Sequence, residues 1–280
     1  MLSVAADVLP ETLQVVLLVF LMMTLVDAVN AVSHGRAGAF LRGGGVWRQY
    51  VVASLLATVP GCAGAFSVVS LYTHGMVSFG ALAGAMIAAS GDEAFVMLAL
   101  FPDTAVLLFA LLALAGILLG RVTDVAVRRL GISIPGGCPA VIVHKGTAGW
   151  RHHLREHIWG HIVRTHLWRT ALWSYGTLFL TELGMRHLGL STLAAEYPLA
   201  LLVSAGVLGL IPQSGPHLVV ITMFARGLAP FSVLLVSSIV QDGHGMLPLL
   251  AHSVRTSITL KAFNLLFGLT AGLMAYAAGL

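Results

Sequence analysis

Apolar residues run along the chain in long blocks, each about the 20 residues that a helix needs to cross a bilayer. The first block covers 12–33, with Asp27 and Asn30 inside it. The second, 49–73, is interrupted by Pro60-Gly61-Cys62-Ala63-Gly64, and the third, 76–101, by Ser90-Gly91-Asp92-Glu93. The fourth, 104–120, is clean and continues as a basic tail carrying Arg121, Asp124, Arg128 and Arg129. After a polar stretch at 128–166 the blocks resume at 167–186, 197–225, 228–251 and 256–279. Of these, 197–225 is broken by Pro212-Gln213-Ser214-Gly215-Pro216, and 228–251 by Gln241-Asp242-Gly243-His244-Gly245. The runs are too long for strands and lack alternation of period two, so every element is predicted helical.

The order is clean, broken, broken, clean, stated twice. A shift of 152 residues superposes the halves without a gap: Pro60 falls on Pro212, Gly75 on Gly227, Phe79 on Phe231, Leu82 on Leu234 and Gly91 on Gly243. Over residues 60–102 there are 9 identities in 43 positions, which is weak alone in so apolar a chain. The coincidence of two breaks in each half is the stronger signal. Duplicated halves with paired Gly/Pro interruptions point to a transporter whose site lies between the repeats.

Composition narrows the class. Charged residues are 9% and hydrophobic residues 58%, against roughly 25% charged in a soluble domain. This excludes an ordinary soluble enzyme, a disordered protein and a nucleic-acid binder. A signal peptide is a poor reading of 12–33, because the preceding segment is acidic (Asp7, Glu11) and the run is long. The two cysteines, Cys62 and Cys138, give neither a disulfide framework nor a CxxC motif.

Loop charges set the topology. Arg36, Arg42 and Arg48 follow the first block, and Arg128, Arg129, Lys145, Arg151, Arg155, Arg164 and Arg169 fill the middle. The positive-inside rule places both in the cytoplasm. Three full crossings between them would separate them, so 49–73 is predicted to be a re-entrant hairpin of two half-helices. Each half then holds three spans and one hairpin. The expected fold is an all-α polytopic membrane protein of two inverted repeats, 1–127 and 167–280, joined by a cytoplasmic linker at 128–166. Half-helices of the hairpins counted separately, this is about ten helices.

Carboxylates at membrane depth cost roughly 2.5–3.5 kcal/mol or more and persist where they face a cavity or a ligand. Asp92 and Glu93 in the third block, and Asp242 and His244 at the matching break, form the expected site, completed by Ser90, Gln241 and unwound carbonyls. Oxygen donors with one imidazole suit a divalent first-row ion: manganese first, then zinc, iron or cobalt. Helix capping is the competing role for these Asp and Ser residues. Asp27 and Asn30, three apart on one face, and Glu182 near the equivalent depth are candidates for support or proton relay. Cys62 and His217, at the two hairpin turns, approach the same cavity as further candidates; the half-helix N-termini there would also suit an oxyanion.

The segment HKGTAGWRHHLREHIWGHIVRTH at 144–166 stacks His153, His157 and His161 at i, i+4, i+8, with His152 and Glu156 as a second i, i+4 pair. This predicts a cytoplasmic metal-collecting helix; an interfacial amphipathic helix anchored by Trp150, Trp159 and Trp168 is the alternative.

The stretches SLYTHGMVSFGALAGAMIAASGDEAFVM at 70–97 and GLIPQSGPHLVVITMFARGLAPFSVLLVSSIVQDGHGMLPLLAHS at 209–253, with REHIWGHIVRTH at 155–166, resemble the signatures of the ten-helix heavy-metal exporters. That family is also described as arsenic efflux proteins or manganese transporters. The resemblance covers about residues 12–270 and implies a multi-pass exporter in the bacterial inner membrane. The expected function is therefore secondary export of a divalent metal, most simply manganese, driven by proton exchange, since the ligands must lose protons to bind metal. The chain lacks a Walker A sequence and any HExxH or GxSxG motif, so an enzyme is not expected and no resident cofactor is required. An arsenite, organoarsenical or other oxyanion exporter, a metal-gated channel and an intramembrane enzyme remain the alternatives. The partners are the ion, protons and the bilayer; homo-oligomerisation is left open.

Overall fold

The structure, a computed structural model, describes residues 45–135 and 198–280 throughout and parts of 8–25, 40–43 and 167–179. Asp27, Asn30, Glu182 and the whole histidine-rich segment lie outside the described residues. Among the described residues every element is helical. They are α1 (Val8–Leu25), then α2 (Val46–Thr58), α3 (Cys62–Thr73), α4 (Phe79–Ala88), α5 (Glu93–Leu100) and α6 (Pro102–Arg129). The second half holds α7 (Pro198–Gly209), α8 (Ser214–Ala225), α9 (Phe231–Val240), a 3-10 turn at Gly243–Gly245, α10 (Met246–His252) and α11 (Val254–Ala277).

The 152-residue offset read from the sequence holds helix by helix. Adding it to the bounds of α3 and α4 gives 214–225 and 231–240, the bounds of α8 and α9. The breaks match in conformation as well as position. Gly91 and Gly243 sit at φ +58° and +50°, a left-handed geometry that ends one half-helix and lets the next start at a new angle.

α2 and α3 form a helical hairpin with short arms. At about 1.5 Å per residue, α2 and α3 are each roughly 20 Å or less, short of the ~30 Å hydrocarbon core. Their far ends are held together at one end of the bundle. The Ser78 amide donates to Gln49 Oε1 at 2.8 Å. The Asp124 carboxylate accepts from Tyr50 Oη at 2.7 Å, Ser78 Oγ at 2.6 Å and the Gly80 amide at 2.7 Å. Residues 49, 78 and 124 therefore share an end, with α4–α5 crossing away and α6 crossing back. Asp124 also answers the orphan amides at the start of α4, where Ser78 Oγ accepts from Ala81 as N-cap.

Burial orders the elements. The spans containing the breaks are 72% and 89% buried, against 33% and 28% for α6 and α11. The broken helices form the centre, and the unbroken ones present Leu107, Leu114, Ile258 and Leu266 outward, to lipid. α4 meets α6 through a small-residue seam: a Cβ at Gly84 would collide with the Gly116 carbonyl, and one at Gly80 with the Gly120 carbonyl. Such seams let membrane helices pack at backbone distance. In the second half Gly268 and Gly272 play the part of Gly116 and Gly120, but Val236 replaces Gly84.

The two halves exchange contacts reciprocally. α3 packs on the 3-10 turn and α10, while its counterpart α8 packs on α5; α4 and α9 touch each other. Gln241 Nε2 donates to the carbonyl of Ala89, its own counterpart, at 3.3 Å. The halves therefore meet in reciprocal contacts at the two breaks.

Candidate metal centre

The tip of the first hairpin docks on the first break. The Gly61 amide donates to the Gly91 carbonyl at 2.8 Å. This delivers Cys62, the first residue of α3, to the Asp92 carboxylate: Sγ donates to Oδ2 at 3.2 Å. The opposite wall comes from the second repeat, where the 3-10 turn presents His244 with Nδ1 3.7 Å from the Cys62 sulfur. One ligand atom from each of Cys62, Asp92 and His244 lies within 4.8 Å of the others. Tetrahedral ligation with a ~2.3 Å metal–sulfur and ~2.0 Å metal–nitrogen bond sets sulfur and nitrogen about 3.6 Å apart, close to what is found.

The three groups open on a cavity of about 170 Å³ lined also by Gln14, Val15, Phe66 and Ser214. Helix α1 supplies Gln14 and Val15 and closes one side. Apart from Gln14, the polar lining obeys the repeat: Ser214 is the counterpart of Cys62, and His244 the counterpart of Asp92. Both hairpin tips and both breaks thus line one cavity, each contributing one polar side chain.

Glu93 stands at the edge of this group. It is 2% exposed, and neither oxygen makes an aligned hydrogen bond. The Ser214 hydroxyl and the charges of His244 and Asp92 are its electrostatic neighbours. A buried carboxylate without a donor is destabilising by itself, and a cation in the adjoining cavity would relieve it.

The sequence-predicted set is divided by the structure. Asp92 and His244 come together, Cys62 joins them, and Glu93 lies beside the group without lining the cavity. Asp242 does not: Oδ1 accepts from Asn264 Nδ2 at 2.9 Å and Oδ2 faces Lys261 Nζ at 2.7 Å. The reason is register. One residue, Gly243, separates Asp242 from His244, and in its left-handed conformation His244 faces the cavity while Asp242 points back to α11. Ser90 is buried, with its hydroxyl 3.5 Å from the Thr58 carbonyl, and Gln241 is spent on Ala89. His217 is buried beside Ser237, Nδ1 to Oγ 2.6 Å. Capping does not explain the acidic groups, because neither Asp92 nor Asp242 makes a side-chain cap hydrogen bond.

Ser214 and Lys261 were not singled out by sequence reasoning. Ser214 could have been found as the 152-residue mate of Cys62; Lys261, a lone cation inside an apolar run, carried the same signal as the carboxylates.

The family model described as "Putative, 10TM heavy-metal exporter" matches residues 14–136 and 170–278. The chain belongs to this family. No curated protein and no solved structure shows significant similarity to the chain. As a member of the exporter family it is a multi-pass membrane protein, and the converging Cys62, Asp92 and His244 lie within the matched regions.

Proposed function

We propose that the protein exports a divalent transition-metal ion across the bacterial inner membrane, holding it between Cys62, Asp92 and His244. The observation that carries this reading is the meeting of a thiol, a carboxylate and an imidazole from both repeats in one cavity. The donor set also ranks the ions. One sulfur, one nitrogen and one oxygen favour zinc, cobalt or iron(II) over manganese, which prefers an all-oxygen shell. Manganese, the first expectation, thus moves behind zinc once Asp242 leaves the shell and Cys62 enters it.

The geometry disfavours an oxyanion. The N-terminus of α3 already faces a carboxylate: a Cβ at Gly61 would stand 3.6 Å from Asp92 Oδ1. A second negative charge there would be repelled. Trivalent arsenic prefers several thiolates, and this cavity offers Cys62 alone among the described residues. The Cys62 thiol beside the His244 imidazole also has the ingredients of a nucleophile and base; the exporter description of the family is what favours transport over intramembrane catalysis.

Alternating access is the transport mode that inverted halves would support, and the family's exporter description supplies the outward direction. Two crossings separate residue 49 from residue 124; with α1 as a third span, each repeat has an odd number, and the second is inverted. Inverted halves sharing one site can open it to either face in turn. Proton exchange is the simplest drive, because the thiol and imidazole must be deprotonated to bind and reprotonated to release. Everted membrane vesicles should accumulate zinc against its gradient when acidified inside, and cobalt or manganese more weakly. Asp92→Asn should abolish uptake with normal insertion. Equal uptake by that variant, or passive equilibration without a gradient, would overturn the proposal.

A further inference from the structure

The second break carries a cation of its own. Lys261 reaches from the middle of α11 into the gap left where α9 ends. Its ammonium donates to the Gly209 carbonyl at 2.8 Å and the Val240 carbonyl at 2.9 Å, and faces Asp242 Oδ2 at 2.7 Å. Three donors thus meet three oxygens. Gly209 and Val240 are the last residues of α7 and α9, so both carbonyls belong to helix C-termini, which have no intrahelical partner and carry negative partial charge. Asp242 is fully buried and the lysine side chain is 12% exposed.

Two converging C-termini and a carboxylate are the ingredients from which unwound transporter helices build seats for monovalent cations. The first repeat lacks this seat. There Ser90 stands in place of Asp242, its hydroxyl directed at the Thr58 carbonyl, and Phe109 stands in place of Lys261. The charge pair therefore belongs to one repeat alone and is not demanded by the fold that both repeats share.

We infer that Lys261 is a tethered cation occupying a built monovalent-cation site in the second repeat, and that removing its side chain opens that site to a free potassium, ammonium or alkylammonium ion. The native transporter then takes up no alkali ion at this break, and its coupling ion acts elsewhere. This inference is independent of what the Cys62 cavity carries.

The test compares the thermal midpoints of purified full-length wild type and Lys261→Ala in choline, sodium, potassium, ammonium and butylammonium chloride at equal ionic strength. In choline the variant should fall by about 10 °C, the consequence of an uncompensated buried charge. Potassium, ammonium or butylammonium should restore at least half of the loss, while wild type stays the same in every salt. A variant equally unstable in all five salts would reduce Lys261 to a structural ion pair and overturn the inference; so would a wild type that responds as the variant does. Should Lys261→Ala not accumulate, it is extracted and purified in potassium chloride and in choline chloride in parallel. Recovery of folded protein in potassium alone supports the site; failure in both salts overturns it.

Discussion

Single side chains decide which ion fits. Cys62 contributes the one sulfur among the described residues of the cavity, so Cys62→Ser should weaken zinc binding by about 10–100-fold while leaving manganese nearly unchanged. Competition of the two metals for purified protein would show it; equal loss for both would mean that the sulfur is not a ligand. Asp242→Asn should behave differently from Asp92→Asn. It strips Lys261 and Asn264 of a buried partner and should cost about 3–5 kcal/mol of stability, whereas Asp92, more exposed and uncapped, should lose metal with little change in unfolding. The residues of chemical interest were legible in the sequence as polar groups stranded in oil. Their partition was not. Whether Asp242 or His244 faces the cavity turns on the left-handed conformation of Gly243 between them, and an apolar context gives no sign of which way such a glycine rotates its neighbours.

Elements were read more securely, because the physics that sets them is local. Clusters of proline, glycine and polar residues within a long apolar run break a helix, and the four breaks appear where those clusters stand. What local pattern could not show is the closeness of α4 and α6. Gly80, Gly84, Gly116 and Gly120 read as ordinary membrane glycines until the two helices are seen in backbone contact. Gly84→Val should force them apart and cost about 1–3 kcal/mol or more, lowering the detergent-stable fraction. A wild-type yield and midpoint would contradict the seam. The hairpin tips offer a sharper test of equivalence. Because Ser214 is the counterpart of Cys62 in the cavity lining, moving the thiol by Cys62→Ser with Ser214→Cys should recover much of the zinc affinity that Cys62→Ser loses. No recovery would mean that the two tips do not face one ion.

At the scale of the molecule, duplication is the organising fact. It was visible in the sequence as a gap-free offset, and it reappears as matching helix bounds and as Gln241 bonded to Ala89. The sense of the relation between the halves rests on the loop charges and on the shared end of residues 49, 78 and 124. Single cysteines placed at 48 and 133 in a Cys62→Ser, Cys138→Ser background should label from the same membrane face, with one at 196 labelling from the other. Residues 48 and 196 labelling together would remove the inversion and, with it, alternating access by exchange of halves.

The most direct test is X-ray absorption at the zinc edge of purified protein loaded with one equivalent of metal. A mixed shell is expected, with a single sulfur at about 2.3 Å and the remainder nitrogen and oxygen at about 2.0–2.1 Å, the sulfur vanishing in Cys62→Ser. Protein that retains no zinc, or a shell of oxygen alone in the wild type, would contradict a metal held between Cys62, Asp92 and His244.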